Sequence, residues 1–160
     1  IAALVSDMGH TDCYNSMFYG CKNLRNVPTL TLNYSSGSVN CCAYMFYGCS
    51  KLTTAAAITF VRIGQGCCQY MFQNCTSLTT APNLRATTLL SECYKGMFDG
   101  CTNLNYIKML ATDISAQDCL KDWVYNVASV GTFVKNPAMT TLPSGTSGIP
   151  SGWTVQNATS

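Results

Sequence analysis

The chain has 160 residues, which fits one domain with a core of its own, and a formal net charge of +2. Charged residues make up 10%, well below the ~25% of ordinary soluble domains, so the polar surface has to come mostly from Thr, Ser and Asn. The nine Lys and Arg residues are spread almost evenly and form no basic cluster, which argues against a nucleic-acid footprint. No run approaches the ~20 apolar residues of a membrane span, so no direct membrane insertion is expected.

The opening segment Ile1-Ala2-Ala3-Leu4-Val5 has no charged stretch before it and no complete signal-peptide layout. Leu4 falls one repeat before Leu30, so the chain is expected to start inside a truncated repeat of a longer protein. The repeats themselves are marked by Met-Phe at Met17-Phe18, Met45-Phe46, Met71-Phe72 and Met97-Phe98, with Trp123-Val124 as a degenerate fifth copy. The spacing is 28 residues once and 26 thereafter, inside the range of leucine-rich repeats. Four residues before each of these positions stands a Cys (13, 41, 67, 93, 119), and four residues after it another (21, 49, 75, 101), replaced in the fifth copy by Val127. Leu24, Leu52, Leu78 and Leu104 follow, then Val27, Ala55, Ala81 and Ile107, then Leu30, Ile58, Leu84 and Leu110.

Within a unit, Cys93, Tyr94, Met97, Phe98 and Cys101 make one apolar stripe at helical spacing, which predicts a helix of about two turns. Asp12, Asn40, Gly66, Glu92 and Asp118 stand where its N-cap would be, with Ser91 as an alternative cap beside Glu92. Gly20, Gly48, Asn74, Gly100 and Asn126 stand where a left-handed C-cap would end it. The segment from Leu24 to Leu30 and its equivalents reads as a short strand, limited by Pro28 and Pro82. The expected fold is therefore α/β: a leucine-rich-repeat solenoid of about five strand–short-helix repeats of 26 residues with a C-terminal β cap. Residues 1–129 would form the solenoid and residues 130–160 the capping strands and tail of the same domain. In that tail Phe133 takes the place of Ile107, a loop rich in Pro, Gly and Ser runs from Pro137 to Gly152, and Trp153-Thr-Val155 reads as a last strand. Trp153 would cover the core; the competing reading is an exposed ligand anchor.

The pattern Cys-Tyr-x-x-Met-Phe-x-Gly-Cys-x-x-Leu, with a Pro a few residues on, resembles the BspA-type leucine-rich repeats of bacterial surface proteins. The aromatic-Gly-Cys-x-x-Leu core is carried by Phe18 to Leu24, Phe46 to Leu52, Phe72 to Leu78 and Phe98 to Leu104, and the resemblance covers roughly residues 1–130. A second Cys column and the Met before the Phe depart from the family pattern. The resemblance implies an exported, often lipid-anchored protein of the bacterial cell surface that serves adhesion or recognition.

Little else carries chemistry. Zinc favours tight Cys pairs, and the C-x₇-C spacing and single His do not supply them. The eleven Cys read best as a ladder of buried thiols packing as small hydrophobes, with bridges from the extra thiols Cys42 and Cys68 as the competing expectation. His10 has Ser6, Asp7, Thr11 and Asp12 near it, but one exposed loop and one cap explain this set more simply than a triad, so no enzyme and no cofactor is expected. The Asn33, Asn74 and Asn157 sequons are expected chance matches in so Asn- and Thr-rich a chain.

On such a solenoid the strand residues between core positions face outward: Arg25, Asn26 and Thr29; Thr53, Thr54 and Ala57; Thr79, Thr80 and Asn83; Asn105, Tyr106 and Met109. This nearly uncharged face is the candidate binding face for a protein or glycan of a host or neighbouring cell. A second candidate is the set Tyr19, Tyr44, Tyr47, Tyr70 and Tyr125. The expected function is non-enzymatic recognition or adhesion at the cell surface, and the alternative is a structural spacer presenting another domain of a longer surface or phage protein.

Overall fold

The computed structural model describes residues 11–27, 29–33 and 38–159. They form a parallel β-solenoid of about five turns whose six strands are β1 (Leu30–Asn33), β2 (Ile58–Arg62), β3 (Asn83–Leu84), β4 (Tyr106–Met109), β5 (Thr132–Lys135) and β6 (Thr154–Asn157). All pairs are parallel and the sheet order is β1-β2-β3-β4-β5-β6, one strand per turn. Among the described residues there is no helix.

The expected short helix is thus corrected to a ribbon of overlapping turns. In the second turn, Ala43, Met45, Tyr47 and Cys49 each donate their N–H to the carbonyl three residues back. The residues between them donate sideways instead: Cys42 to Cys67, Tyr44 to Gln69, Phe46 to Met71 and Gly48 to Gln73, at 2.8–3.0 Å. The backbone is therefore satisfied half locally and half by the next turn, which an α-helix, closing all its bonds internally, cannot offer. Every fourth ribbon residue takes a left-handed φ: Asn40, Tyr44 and Gly48; Gly66, Tyr70 and Asn74; Glu92, Gly96 and Gly100; Asp118, Asp122 and Asn126. The column expected to hold N-caps is thus left-handed too, which excludes a cap geometry. A non-Gly residue there costs about 1–2 kcal/mol, offset by the inter-turn bonds. The apolar stripe survives because a four-residue period and a 3.6-residue period look alike over ten residues: Cys41, Met45 and Cys49 are buried on the inside, and so are Cys42 and Phe46.

The strands also start later than the expected segments in the first two turns, at Leu30 and Ile58, with only isolated bridges Asn26–Thr54 and Thr54–Thr80 before them. The expected alignment of Ile58, Leu84 and Leu110 slips: Leu84 pairs with Phe60 and with Met109. Met109 is accordingly buried and does not face out. The alignment of Ile107 with Phe133 holds, and Phe133 is followed by Val155 in β6.

Columns of identical side chains fill the interior. Phe18, Phe46, Phe72 and Phe98 stack at centroid distances of 5.3, 5.3 and 5.8 Å, and Trp123 continues the column against Phe98 at 5.9 Å. Trp123 donates its indole N–H to Gly148 O at 2.8 Å, and Trp153 to Ala128 O at 2.7 Å. Trp153 is buried against the last turn and is no exposed anchor. Tyr94 is fully buried between Phe60 and Trp123, and its hydroxyl has no hydrogen-bond partner among the described residues. A buried, unpaired hydroxyl is a cost. Tyr94→Phe is therefore expected to raise stability by about 1 kcal/mol, checked by urea denaturation; a clear loss of stability would show that the hydroxyl has a role.

Nine of the eleven cysteines are buried; Cys13 is half-buried and Cys21 exposed. In the second column Cys49, Cys75 and Cys101 donate Sγ–H to the carbonyls of Phe18, Phe46 and Phe72 in the preceding turn, at 3.2, 3.1 and 3.0 Å. Burial pushes the Cys49 thiol up to about 11 and, with Cys67 nearby, Cys41 up to about 12; it raises Cys68, Cys75, Cys93 and Cys101 as well. A thiol whose pKa is raised in the folded state stabilises fully below its unfolded value near 9 and loses that contribution as pH climbs toward the folded value. The melting temperature is expected to hold up to about pH 8.5 and then fall steeply, each such thiol contributing up to about 1.4 kcal/mol per pH unit. At neutral pH a thiol reagent is expected to label Cys21 fast, Cys13 slowly and the rest only after unfolding. Rapid native labelling of several further thiols would contradict this packing.

Candidate functional site

Of the ten residues of the expected binding face, eight line up in two rows across the turns, and only Asn83 and Tyr106 of the ten lie in strands. The others precede the strands. One row runs Arg25–Thr53–Thr79–Asn105, joined by Thr53 N–H to Arg25 O at 3.3 Å, Thr79 N–H to Thr53 O at 2.9 Å and Asn105 N–H to Thr79 O at 3.1 Å. The neighbouring row runs Asn26–Thr54–Thr80–Tyr106 through parallel bridges. Thr29 is exposed just before β1, and Asn83 is exposed on β3. Side chains of the first row also reach across turns: Thr53 Oγ1 donates to Arg25 O at 3.4 Å and Thr79 Oγ1 to Thr53 O at 3.1 Å. In the second row Thr54 Oγ1 accepts the N–H of Ala56. The rows therefore present methyl groups, amides and hydroxyls whose geometry is set by the backbone, with Tyr106 38% exposed at one end.

The tyrosine set lies on the ribbon side. Tyr19 stacks on Tyr47 at 4.6 Å, and Tyr44 on Tyr70 at 5.1 Å, and the Tyr70 ring lies over Gly96, where a Cβ would strike it. Tyr19 and Tyr125 are exposed, while Tyr44, Tyr47 and Tyr70 are half-buried, so most of this set packs turn against turn.

The sheet face carries a feature that the sequence reading missed. A cleft of about 410 Å³ is lined by Thr59, Asn83, Leu84, Arg85, Lys108, Leu110 and Thr159. Arg85 and Lys108 stand three columns apart when the chain is laid out at 26 residues. The 25-residue step from Leu84 to Met109 brings them closer in register. The only sequence signal was the outward phase of Lys108 in Tyr106-Ile-Lys-Met109.

His10, Ser6 and Asp7, the set for which a loop was expected in place of a triad, lie outside the described residues. Asp12, at its edge, is exposed and accepts Asn15 Nδ2 at 3.3 Å. Among the described residues no group of three or more His, Cys, Asp or Glu is placed to hold a metal ion, and no helix is long and apolar enough to cross a membrane. The fold and the face together define a parallel β-solenoid with flat, repeated outer rows. No family model, curated protein or solved structure matches this chain.

Proposed function

We propose that the chain is a non-enzymatic recognition or adhesion module that engages a protein or glycan through its repeat surface. The observation that carries this reading is the pair of continuous rows, Arg25–Thr53–Thr79–Asn105 and Asn26–Thr54–Thr80–Tyr106, which set hydrogen-bonding side chains on a face whose one charge is Arg25 and whose turns are tied by backbone bonds. A regular, preorganised face loses little entropy on binding an extended partner. In this reading the module belongs to an exported bacterial surface protein, as its resemblance to BspA-type repeats implies, and meets a host or neighbouring cell. The alternative is a spacer. It is favoured by the hydroxyls of Thr53 and Thr79, which spend their hydrogen bonds fastening one turn to the next.

The test is a binding screen of the purified chain against extracellular-matrix proteins and a glycan array, with a Thr54→Arg, Thr80→Arg variant beside it. A ligand bound by the parent and lost in the folded variant supports recognition through the rows. No ligand for a folded parent supports the spacer.

A further inference from the structure

We infer that the cleft on the outer face of β2–β4 is a binding site for a sugar carrying a sulfate or phosphate ester. The inference rests on the recognition reading and gives it a ligand chemistry.

The cleft is electropositive by its own lining. Its described lining holds two cations, Arg85 and Lys108, and no acid. The described acids lie elsewhere: Glu92 is ion-paired with Lys95 at 2.7 Å and Asp118 with Lys121 at 3.9 Å, while Asp99, Asp113, Asp122 and Asp12 accept hydrogen bonds from Gln73, Ser115, Thr146 and Asn15. Neither cleft cation has an ion pair among the described residues, whereas Lys95 and Lys121 both do. Two neighbouring, unneutralised cations in a concave site favour an anion.

The donors come from several directions. Thr59 stands on β2, Arg85 directly after β3, Lys108 on β4, and Thr159 beyond β6, whose end is held by Ala158 N–H to Lys135 O at 2.8 Å. Asn83 Nδ2 is turned toward Thr59 Oγ1 at 3.5 Å and Ala56 O at 3.2 Å, which leaves the Thr59 proton free to donate outward. A lining drawn from four segments around one cleft suits a tetrahedral group with three free oxygens better than a planar carboxylate, and Arg and Lys are the usual donors to such oxygens. The volume is that of a small-molecule site rather than a bare ion. Asn83 belongs both to this cleft and to the face beside the Thr rows, so a sugar held by its ester would lie toward them.

The experiment titrates the full chain, by calorimetry at low salt, with a sulfated heparin tetrasaccharide, its desulfated counterpart, glucose 6-phosphate and inorganic sulfate. Arg85→Gln/Lys108→Gln is compared with a charge-matched control, Lys51→Gln/Lys121→Gln, whose cations lie away from the cleft. The expected result is saturable binding of one or both esters with Kd in the ~0.1–1 mM range. Binding should weaken about tenfold or more in the cleft variant and stay unchanged in the control. Whichever ester binds tighter names the source, and the desulfated sugar should bind at least about tenfold more weakly. Equal loss in both variants would mean diffuse charge attraction and overturn the site, as would absence of saturable binding by the folded parent. Binding of inorganic sulfate as tight as that of the esters would overturn the sugar assignment. A matrix or glycan ligand lost in Thr54→Arg, Thr80→Arg but kept in the cleft variant would sink the cleft alone and leave recognition by the rows standing.

Discussion

Phe72→Ala is expected to cost about 3–5 kcal/mol, enough to unfold a domain of ordinary stability. Phe72 is fully buried in the middle of the aromatic column, with Phe46 at 5.3 Å on one side and Phe98 at 5.8 Å on the other. Its carbonyl accepts both Cys75 N–H and Cys101 Sγ, each at 3.0 Å, so collapse around the missing ring would also disturb the ribbon of the next turn. In a solenoid each turn touches only its neighbours, so a defect in the middle weakens coupling between the two halves. The urea transition should move to lower denaturant and become shallower, reporting loss of all-or-none behaviour. Phe18→Ala, at a half-buried position in the first described turn, should cost less than half as much. Equal losses at the two positions would show that the column is not what couples the turns.

Gly64→Ala is expected to cost about 2–3 kcal/mol although it adds one methyl group. A Cβ at Gly64 would overlap the carbonyl oxygen of Ser38 in the neighbouring turn and would stand 2.7 Å from Cys67 Sγ. The first obstacle is backbone, which a side-chain rotation cannot relieve. Gly20→Ala separates this steric effect from a purely conformational one. Gly20 has φ 71° and nothing within 4 Å of its Cβ position, so Ala there should cost only about 1 kcal/mol for the left-handed backbone. Thermal unfolding of the two variants side by side checks the order. A Gly64→Ala protein within about 0.5 kcal/mol of the parent would mean that the two turns do not approach as closely as described.

The repeat, its period, its buried columns and the parallel stacking were all legible in the chain. They follow from local recurrence: identical residues at equal steps can be buried together only if the steps are stacked, so Phe18 finds Phe46, and Cys49 finds the Phe18 carbonyl. The candidate rows were legible for the same reason, since Thr53, Thr54, Thr79 and Thr80 recur in phase with the core. The Gly and Asn column was also read as left-handed, which Gly48, Asn74 and Gly100 are.

What the sequence could not settle was the conformation between the Cys columns, because an apolar position every four residues serves a helix and a turn ribbon equally. The choice was made between turns, where Cys42, Tyr44, Phe46 and Gly48 gain hydrogen bonds to the next turn that no helix could make. That gain exists only once the neighbour is in place, so no single unit encodes it. The cleft is of the same kind. Arg85 and Lys108 share no column in the sequence; strand register, with steps of 24 residues from Phe60 to Leu84 and 25 from Leu84 to Met109, brings them to one site with Thr59 and Thr159. By itself the sequence determined that the units stack and that the Phe and Cys columns are inside, though not that Met109 takes the core place expected of Leu110. Only the tertiary structure decided how the backbone bonds are shared between turns and which surface charges meet, because both depend on contacts between residues about 25 positions apart.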